Sequence, residues 1–297
     1  MKVISKLISF VLVCILFSCT TTPKEKTEIE KQSYTNQEST AHHSIALEVL
    51  QASKDWINAF NQGNVSTCIA GYKKDAVMRA TPFGLKQGET EIEAFWKPFI
   101  ESGASNLIYT NVAIEVINKT TALLSANWSM NIGRGVIYQE KWIKENNKWV
   151  LVYDDFEVKE QYETPKENPT NPIGSHLLLE DVINSSIKWI EGFNAGNGDI
   201  CGEGYTKNAT MNAIPFTNLH SKTDIQSFWN TLMNDGASNL IYNNPKFEVI
   251  NTTVIKLSSD WSMNIGEGKI YQEKWVKEND TWLLDYDEFE VLKQYNH

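Results

Sequence analysis

Between His43 and Asn61 the apolar residues Ile45, Leu47, Val49, Leu50, Trp56, Ile57 and Phe60 recur at helical spacing and stop at Asn61-Gln62-Gly63, which predicts a long first helix. Val65 to Tyr72 fits a short second helix, and Ala76 to Ala80 a short strand broken at Pro82-Phe83-Gly84. Glu89 to Glu101 carries Ile92, Phe95, Trp96, Phe99 and Ile100 on one stripe, with acids in its first turn, where the helix dipole favours them. It predicts a third helix that Pro98 can kink or shorten. Apolar and polar residues then alternate over Leu107 to Ile117, Ala122 to Ile132, Val136 to Ile143 and Trp149 to Val158, the pattern of four strands. Their connections, Asn118-Lys119-Thr120, Gly133-Arg134-Gly135 and Glu145-Asn146-Asn147-Lys148, have hairpin length. Helices, a strand, a helix and an antiparallel meander together make an α+β domain.

The whole pattern occurs twice. Trp56 to Tyr162 aligns without a gap on Trp189 to Tyr295, and about 59 of the 107 positions are identical. Gly-Ala-Ser-Asn-Leu-Ile-Tyr, Trp-Ser-Met-Asn-Ile-Gly and Tyr-Gln-Glu-Lys-Trp stand in both copies. The expected domains are therefore 43–163 and 176–297, separated by a proline-rich linker, 164–175, that neither helix nor sheet tolerates.

Ahead of the first copy, Lys2 and Lys6 precede an apolar run from Leu7 to Phe17, too short to span a bilayer as a permanent helix. Residues 1–18 read as an export signal, and Leu16-Phe17-Ser18-Cys19 resembles the lipobox of bacterial lipoproteins. That resemblance implies a lipidated Cys19 as membrane anchor and a place in the cell envelope. Residues 19–42, nearly free of apolar side chains over most of their length, are expected to be a disordered tether. A formal charge of −10 disfavours nucleic acid and anionic lipid surfaces as partners. Cys68 and Cys201 occupy equivalent positions and are expected as two small buried core residues rather than a disulfide. No spacing suggests a metal site, and no cofactor motif is present.

Phe60-Asn61-Gln62-Gly63-Asn64, Tyr72-Lys73-Lys74-Asp75-Ala76, Gly88 to Trp96 and Trp149 to Asp154 recur as Phe193 to Asn197, Tyr205 to Ala209, Ser221 to Trp229 and Trp282 to Asp287. In that order these motifs resemble the NTF2-like superfamily, in particular its SnoaL-like, ketosteroid-isomerase-like and DUF4440-type members. The resemblance implies two tandem cones, each a curved sheet wrapped on the long helix around a pocket, and an intramolecular pseudo-dimer of the two repeats. It does not bring the isomerase residues with it. The family's catalytic Asp falls where this chain has Ala80-Thr81 and Ala213-Ile214, and its helix-one tyrosine where this chain has Trp56 and Trp189.

The chemistry must come from other side chains. Ten tryptophans and eleven tyrosines supply aromatic walls, and the ligand-binding candidates are Trp96, Trp128, Tyr138 and Trp142 with Trp229, Trp261, Tyr271 and Trp275. If Lys141 faces solvent, strand parity turns Tyr138, Glu140 and Trp142 inward, and likewise Tyr271, Glu273 and Trp275. Desolvation would then raise the Glu140 pKa into the range of a general acid or base. The alternative is that Glu140 lies on an exposed strand face and that the Asp-rich last strand ends in solvent. The last strand offers Tyr153, Asp154 and Asp155, matched by Tyr286, Asp287 and Glu288, and its inward parity is left open. The candidate acid and base are Glu140 and Asp155, or Glu273 and Glu288. His43 and His176 match between copies but are expected as exposed residues at the start of the first helix. Three functions remain: binding of a small, partly apolar ligand or a protein partner, an acid/base isomerase, dehydratase or cyclase, and structural assembly.

Overall fold

The computed structural model describes residues 36–167 and 171–295; the expected signal segment and Cys19 lie outside the described residues, as does the tether up to residue 35. None of the described helices is long and apolar enough to cross a membrane.

The first repeat runs α1 (Asn36–Ser39), α2 (Ala41–Asn61), α3 (Val65–Ala70), β1 (Tyr72–Thr81), β2 (Gly84–Gln87), α4 (Gly88–Glu101), β3 (Ile108–Asn118), β4 (Thr121–Met130), β5 (Gly133–Glu145) and β6 (Lys148–Gln161). The second runs α5 (Gly174–Asn194), α6 (Gly198–Glu203), β7 (Tyr205–Ile214), β8 (Thr217–Leu219), α7 (Lys222–Asn234), β9 (Ile241–Asn251), β10 (Val254–Met263), β11 (Gly266–Glu278) and β12 (Thr281–Gln294). Local chemistry sets these boundaries. Gly63, with φ near 70°, turns the chain out of α2, and Asn64 caps α3 by accepting from the Thr67 N–H at 3.1 Å. Pro98 sits inside α4, which still continues to Glu101.

Four details differ from the sequence pattern. Residues 36–42, expected in the tether, are helical or turn: Ser39 and Thr40 are buried, and His42 Nδ1 accepts the Asn244 backbone N–H at 2.7 Å. Their polar composition hides this, because the partners are in the second repeat. Tyr72 opens β1 rather than closing the second helix, since Gly71 ends α3 one residue earlier. β1 breaks at Pro82 as the pattern predicts, but it is ten residues long rather than the short Ala76 to Ala80, and the chain returns after the turn as the antiparallel strand β2, which the pattern does not show. Gly133 to Gly135 lie in β5, and the turn falls one step earlier.

All twelve strands form one sheet in the order β2-β1-β6-β5-β4-β3-β9-β10-β11-β12-β7-β8. Within each half β1 pairs with β6, and β7 with β12, in parallel; every other pairing is antiparallel. The halves join edge to edge at β3–β9, where Ala113, Ile114 and Glu115 oppose Glu248, Phe247 and Lys246. Ile114 and Phe247 are equivalent residues, so a pseudo-two-fold axis passes through that pair. The long helices α2 and α5 pack on this seam and on each other. Each repeat is thus an α+β unit, a half-sheet closed by helices over an apolar core.

Candidate functional site

Within the first cone the walls of a cavity of about 280 Å³ are aromatic: Trp56, Phe95, Trp96, Phe99, Trp128 and Phe156 line it, with half-exposed Phe83 at the rim. Trp96 organises this wall, stacking on Phe156 at 5.6 Å and meeting Trp56 edge-on at 5.4 Å. Of the polar side chains that line the same space, Tyr72, Tyr109, Glu140 and Asp154 form one cluster, and Gln161 and Tyr162 line it as well.

Glu140 on β5 and Asp154 on β6 oppose each other across the two strands, and both are buried. Tyr72 donates its hydroxyl to Asp154 Oδ2 at 2.6 Å and accepts the Trp96 indole N–H at 3.2 Å. Glu140 is held at both oxygens, Oε1 by the Tyr109 hydroxyl and Oε2 by the Trp142 indole, each at 2.9 Å. Asp154 Oδ1 accepts no hydrogen bond from the described residues. Burial first, and then the charge of Asp154, pushes the Glu140 carboxyl up to about 8. Burial also raises Asp154, to about 7, against the opposing hydrogen bond of Tyr72. Burial and the same carboxylates push both tyrosines well above their ordinary range, so they serve as neutral donors. Two ionised carboxylates side by side are avoided in an apolar surrounding, and both groups are raised accordingly.

The second repeat rebuilds the cluster. Tyr205 donates to Asp287 at 2.7 Å and accepts from Trp229 at 3.1 Å, while Tyr242 and Trp275 donate to Glu273 at 2.7 and 2.8 Å. Glu273 lies near 8 and Asp287 near 6, burial again being the main cause.

Of the residues singled out in the sequence, Trp96, Trp128 and Glu140 line the cavity. Trp142 and Trp275 are buried behind the carboxylates as donors rather than as walls. Glu140 does not lie on an exposed face. Tyr138 and Tyr271 face outward, 52% and 48% exposed, against the expectation from strand parity. The cause is a bulge: Ile137 opposes Phe156 and Gln139 opposes Asp155, so Tyr138 is the extra residue and the alternation inverts there. The same shift between Ile270 and Gln272 turns Tyr271 outward. Asp155 and Glu288 are corrected as well. Asp155 is held on the other face by the Tyr153 hydroxyl at 3.0 Å, and Glu288 by Asn212 at 3.1 Å, leaving the inward places to Asp154 and Asp287. Tyr72, Tyr109 and Asp154 were missed as a set; the signal available was the identity of Tyr72 and Tyr109 with Tyr205 and Tyr242. His43 and His176 are fully buried between the repeats, not exposed. Cys68 and Cys201 are free and buried.

No family model and no curated protein matches the chain. Among solved structures, an NTF2-like protein of unknown function from Shewanella oneidensis is 21% identical, with 37% of this chain and 96% of that one covered at a TM-score of 0.33. A cystatin-like-fold protein of unknown function from Nostoc punctiforme is 17% identical over 43% and 93% of the two chains, at 0.34. A chain from Novosphingobium aromaticivorans that carries the provisional name scytalone dehydratase is 14% identical over 45% and 96%, at 0.38.

Proposed function

We propose that each cone binds a small, partly aromatic molecule that presents a hydrogen-bond donor to Asp154 or Asp287, and that Cys19 anchors the chain to a membrane of the cell envelope. The observation that carries the binding reading is the contrast between lining and core. Of the cavity-lining residues only Phe99 changes at the equivalent position, to Leu232, whereas some buried positions away from the cavity differ: Ala122 becomes Ile255, Val112 becomes Pro245 and Ala59 becomes Gly192. The lining has been held fixed in both copies. Two polar atoms supply orientation: Asp154 Oδ1 as acceptor, and the buried Trp128 indole N–H, which has no acceptor among the described residues. Trp261 repeats it in the second cone. A structural assembly module has no use for a buried acid pair, which costs stability.

Native mass spectrometry of the full chain purified from its source tests the binding reading. One small molecule should add once or twice to the mass and should be lost in the Asp154→Asn, Asp287→Asn variant. Bare protein from the source, with no ligand shifting its melting temperature in a screen of small aromatic alcohols and amines, would overturn it. Cys19→Ala should release the protein from the membrane fraction; retention there with unchanged mobility would refute the anchor.

A second reading rests on two buried carboxyls, Glu140 and Asp154, that oppose each other in the cavity and are both raised towards the neutral range where an acid and base exchange a proton. In that case the molecule bound is a substrate and the reaction a proton transfer, as in an isomerase, dehydratase or cyclase. Asp154→Asn would then abolish turnover while binding persists.

A further inference from the structure

The two carboxyl clusters lie in different cones, yet the tyrosine that holds each Glu is packed by a residue from the other repeat. His176, on α5 of the second repeat, sets its ring 6.0 Å from that of Tyr109, tilted by 31°. Its Nε2 is tied to Ser53 Oγ on α2 of the first repeat at 3.0 Å. His43, on α2, stands 5.8 Å from Tyr242 and meets Phe247 edge-on at 5.5 Å, and its Nε2 is tied to Ser186 Oγ on α5, again at 3.0 Å. Both imidazoles are fully buried, and both leave Nδ1 without a partner among the described residues. Each Nε2–Oγ hydrogen bond ties the ring to a serine of the opposite repeat, whichever of the two supplies the proton. Burial holds both rings neutral.

We propose that each site is completed across the pseudo-two-fold: His176 is a positioning residue for Tyr109, and through it for Glu140, while His43 does the same for Tyr242 and Glu273. The Tyr109 ring is fixed at its hydroxyl end by Glu140, and its flank needs a partner that cannot slide. A phenylalanine would fill the space but could not be pinned. The imidazole is pinned by a serine on the helix of the very repeat it serves, so each Tyr–Glu pair is gripped from both repeats. The two copies repeat the device in full, Ser53 and His176 answering to Ser186 and His43. A single repeat therefore has no complete site. This deepens the binding-site reading, and its test needs no ligand, so the two can fail separately.

The test is carboxyl ¹³C NMR of the full chain labelled at the glutamate side chains, with Glu140 and Glu273 assigned through Glu140→Gln and Glu273→Gln. The charges facing Glu140 are those of Asp154, with Tyr72 and Tyr109 as neutral neighbours. His176→Ala should loosen the Tyr109 donor and raise the Glu140 midpoint by about half a pH unit or more, leaving Glu273 where it was. His43→Ala should do the reverse. His176→Phe, which keeps a ring against Tyr109, should restore part of the shift. Should the alanine variants not fold, Ser53→Ala removes only the pin and should move Glu140 in the same direction by less. A shift confined to the histidine's own repeat, an equal shift in both, or none would overturn the proposal.

Discussion

The Tyr72 hydroxyl stands between an indole and a carboxylate, 3.2 Å from Trp96 Nε1 and 2.6 Å from Asp154 Oδ2. Tyr72→Phe removes a donor from Asp154 and an acceptor from Trp96 inside an apolar cavity. Stability should fall by roughly 1–3 kcal/mol in urea denaturation, and Asp154, stripped of the bond that favours its ionised form, should titrate above its present value of about 7. An unchanged titration would show that burial alone sets the group. Glu140→Gln is a sharper probe, because both Glu140 oxygens accept and a glutamine amide turns one of them into a donor facing a donor. The variant should be less stable than the parent by about 1–2 kcal/mol at pH 4.5, where Glu140 is protonated. That deficit should shrink by pH 9, where the parent has to ionise a buried acid. At this scale the sequence was legible in kind but not in facing. Glu140 and the tryptophans followed from composition and alternation, whereas Tyr138 was turned outward by one inserted residue, and Asp154 could be chosen over Asp155 only with the register of β6 in hand.

Between elements, the seam that joins the repeats is symmetric in shape but not in chemistry. On one side Lys54 of α2 pairs with Glu180 of α5 at 2.5 Å; the equivalent residues on the other side are Ile187 and Leu47, both packed against the core. Two copies of the first repeat facing each other would set Lys54 against Leu47 twice, and two copies of the second would set Glu180 against Ile187 twice. Each such pairing strands a charge in a largely buried place. The exchange favours the pairing of unlike repeats, as a buried polar group does when it fixes register. Lys54→Ala should cost roughly 3 kcal/mol, because it leaves Glu180 unpaired, while Lys54→Ile with Glu180→Leu should be neutral or stabilising. Equal losses from the single and double variants in urea denaturation would show that the pair contributes attraction beyond relief of an unpaired charge. Most elements were legible from periodicity, because long stripes and strict alternation survive in both copies. Gly135 shows what was not. It reads as a turn residue, yet it lies in β5, where a Cβ would come within 1.9 Å of Glu157 O and 2.6 Å of the Trp128 ring. The glycine is there for a close approach across the sheet, which no local pattern announces.

For the molecule as a whole, two sets of buried groups pull stability in opposite directions with pH. His43 and His176 lie near 3 against an ordinary value of 6.5, so the unfolded chain takes up protons that the folded one refuses, and stability is lost as pH falls from about 6.5 towards 3. Glu140 and Glu273 near 8, Asp154 near 7 and Asp287 near 6 behave oppositely. Their ordinary values are 4.5 and 3.8, so the folded chain keeps protons that the unfolded chain has given up. That stability is whole below about pH 4 and is lost as pH rises through 6 to 8. Between pH 4.5 and 6 all four acids are active against two histidines, each group bearing on the slope by about 1.4 kcal/mol per pH unit at most. The acids prevail, and the maximum lies on the acid side of neutrality. The melting temperature should rise from pH 8 to about pH 5 and fall again below about pH 4. Replacing the four acids by their amides should flatten the alkaline limb alone, and His43→Phe with His176→Phe the acid limb alone. A maximum at or above pH 7 in the parent would mean that the carboxyls ionise freely, and so that water reaches the places where a ligand is proposed to sit.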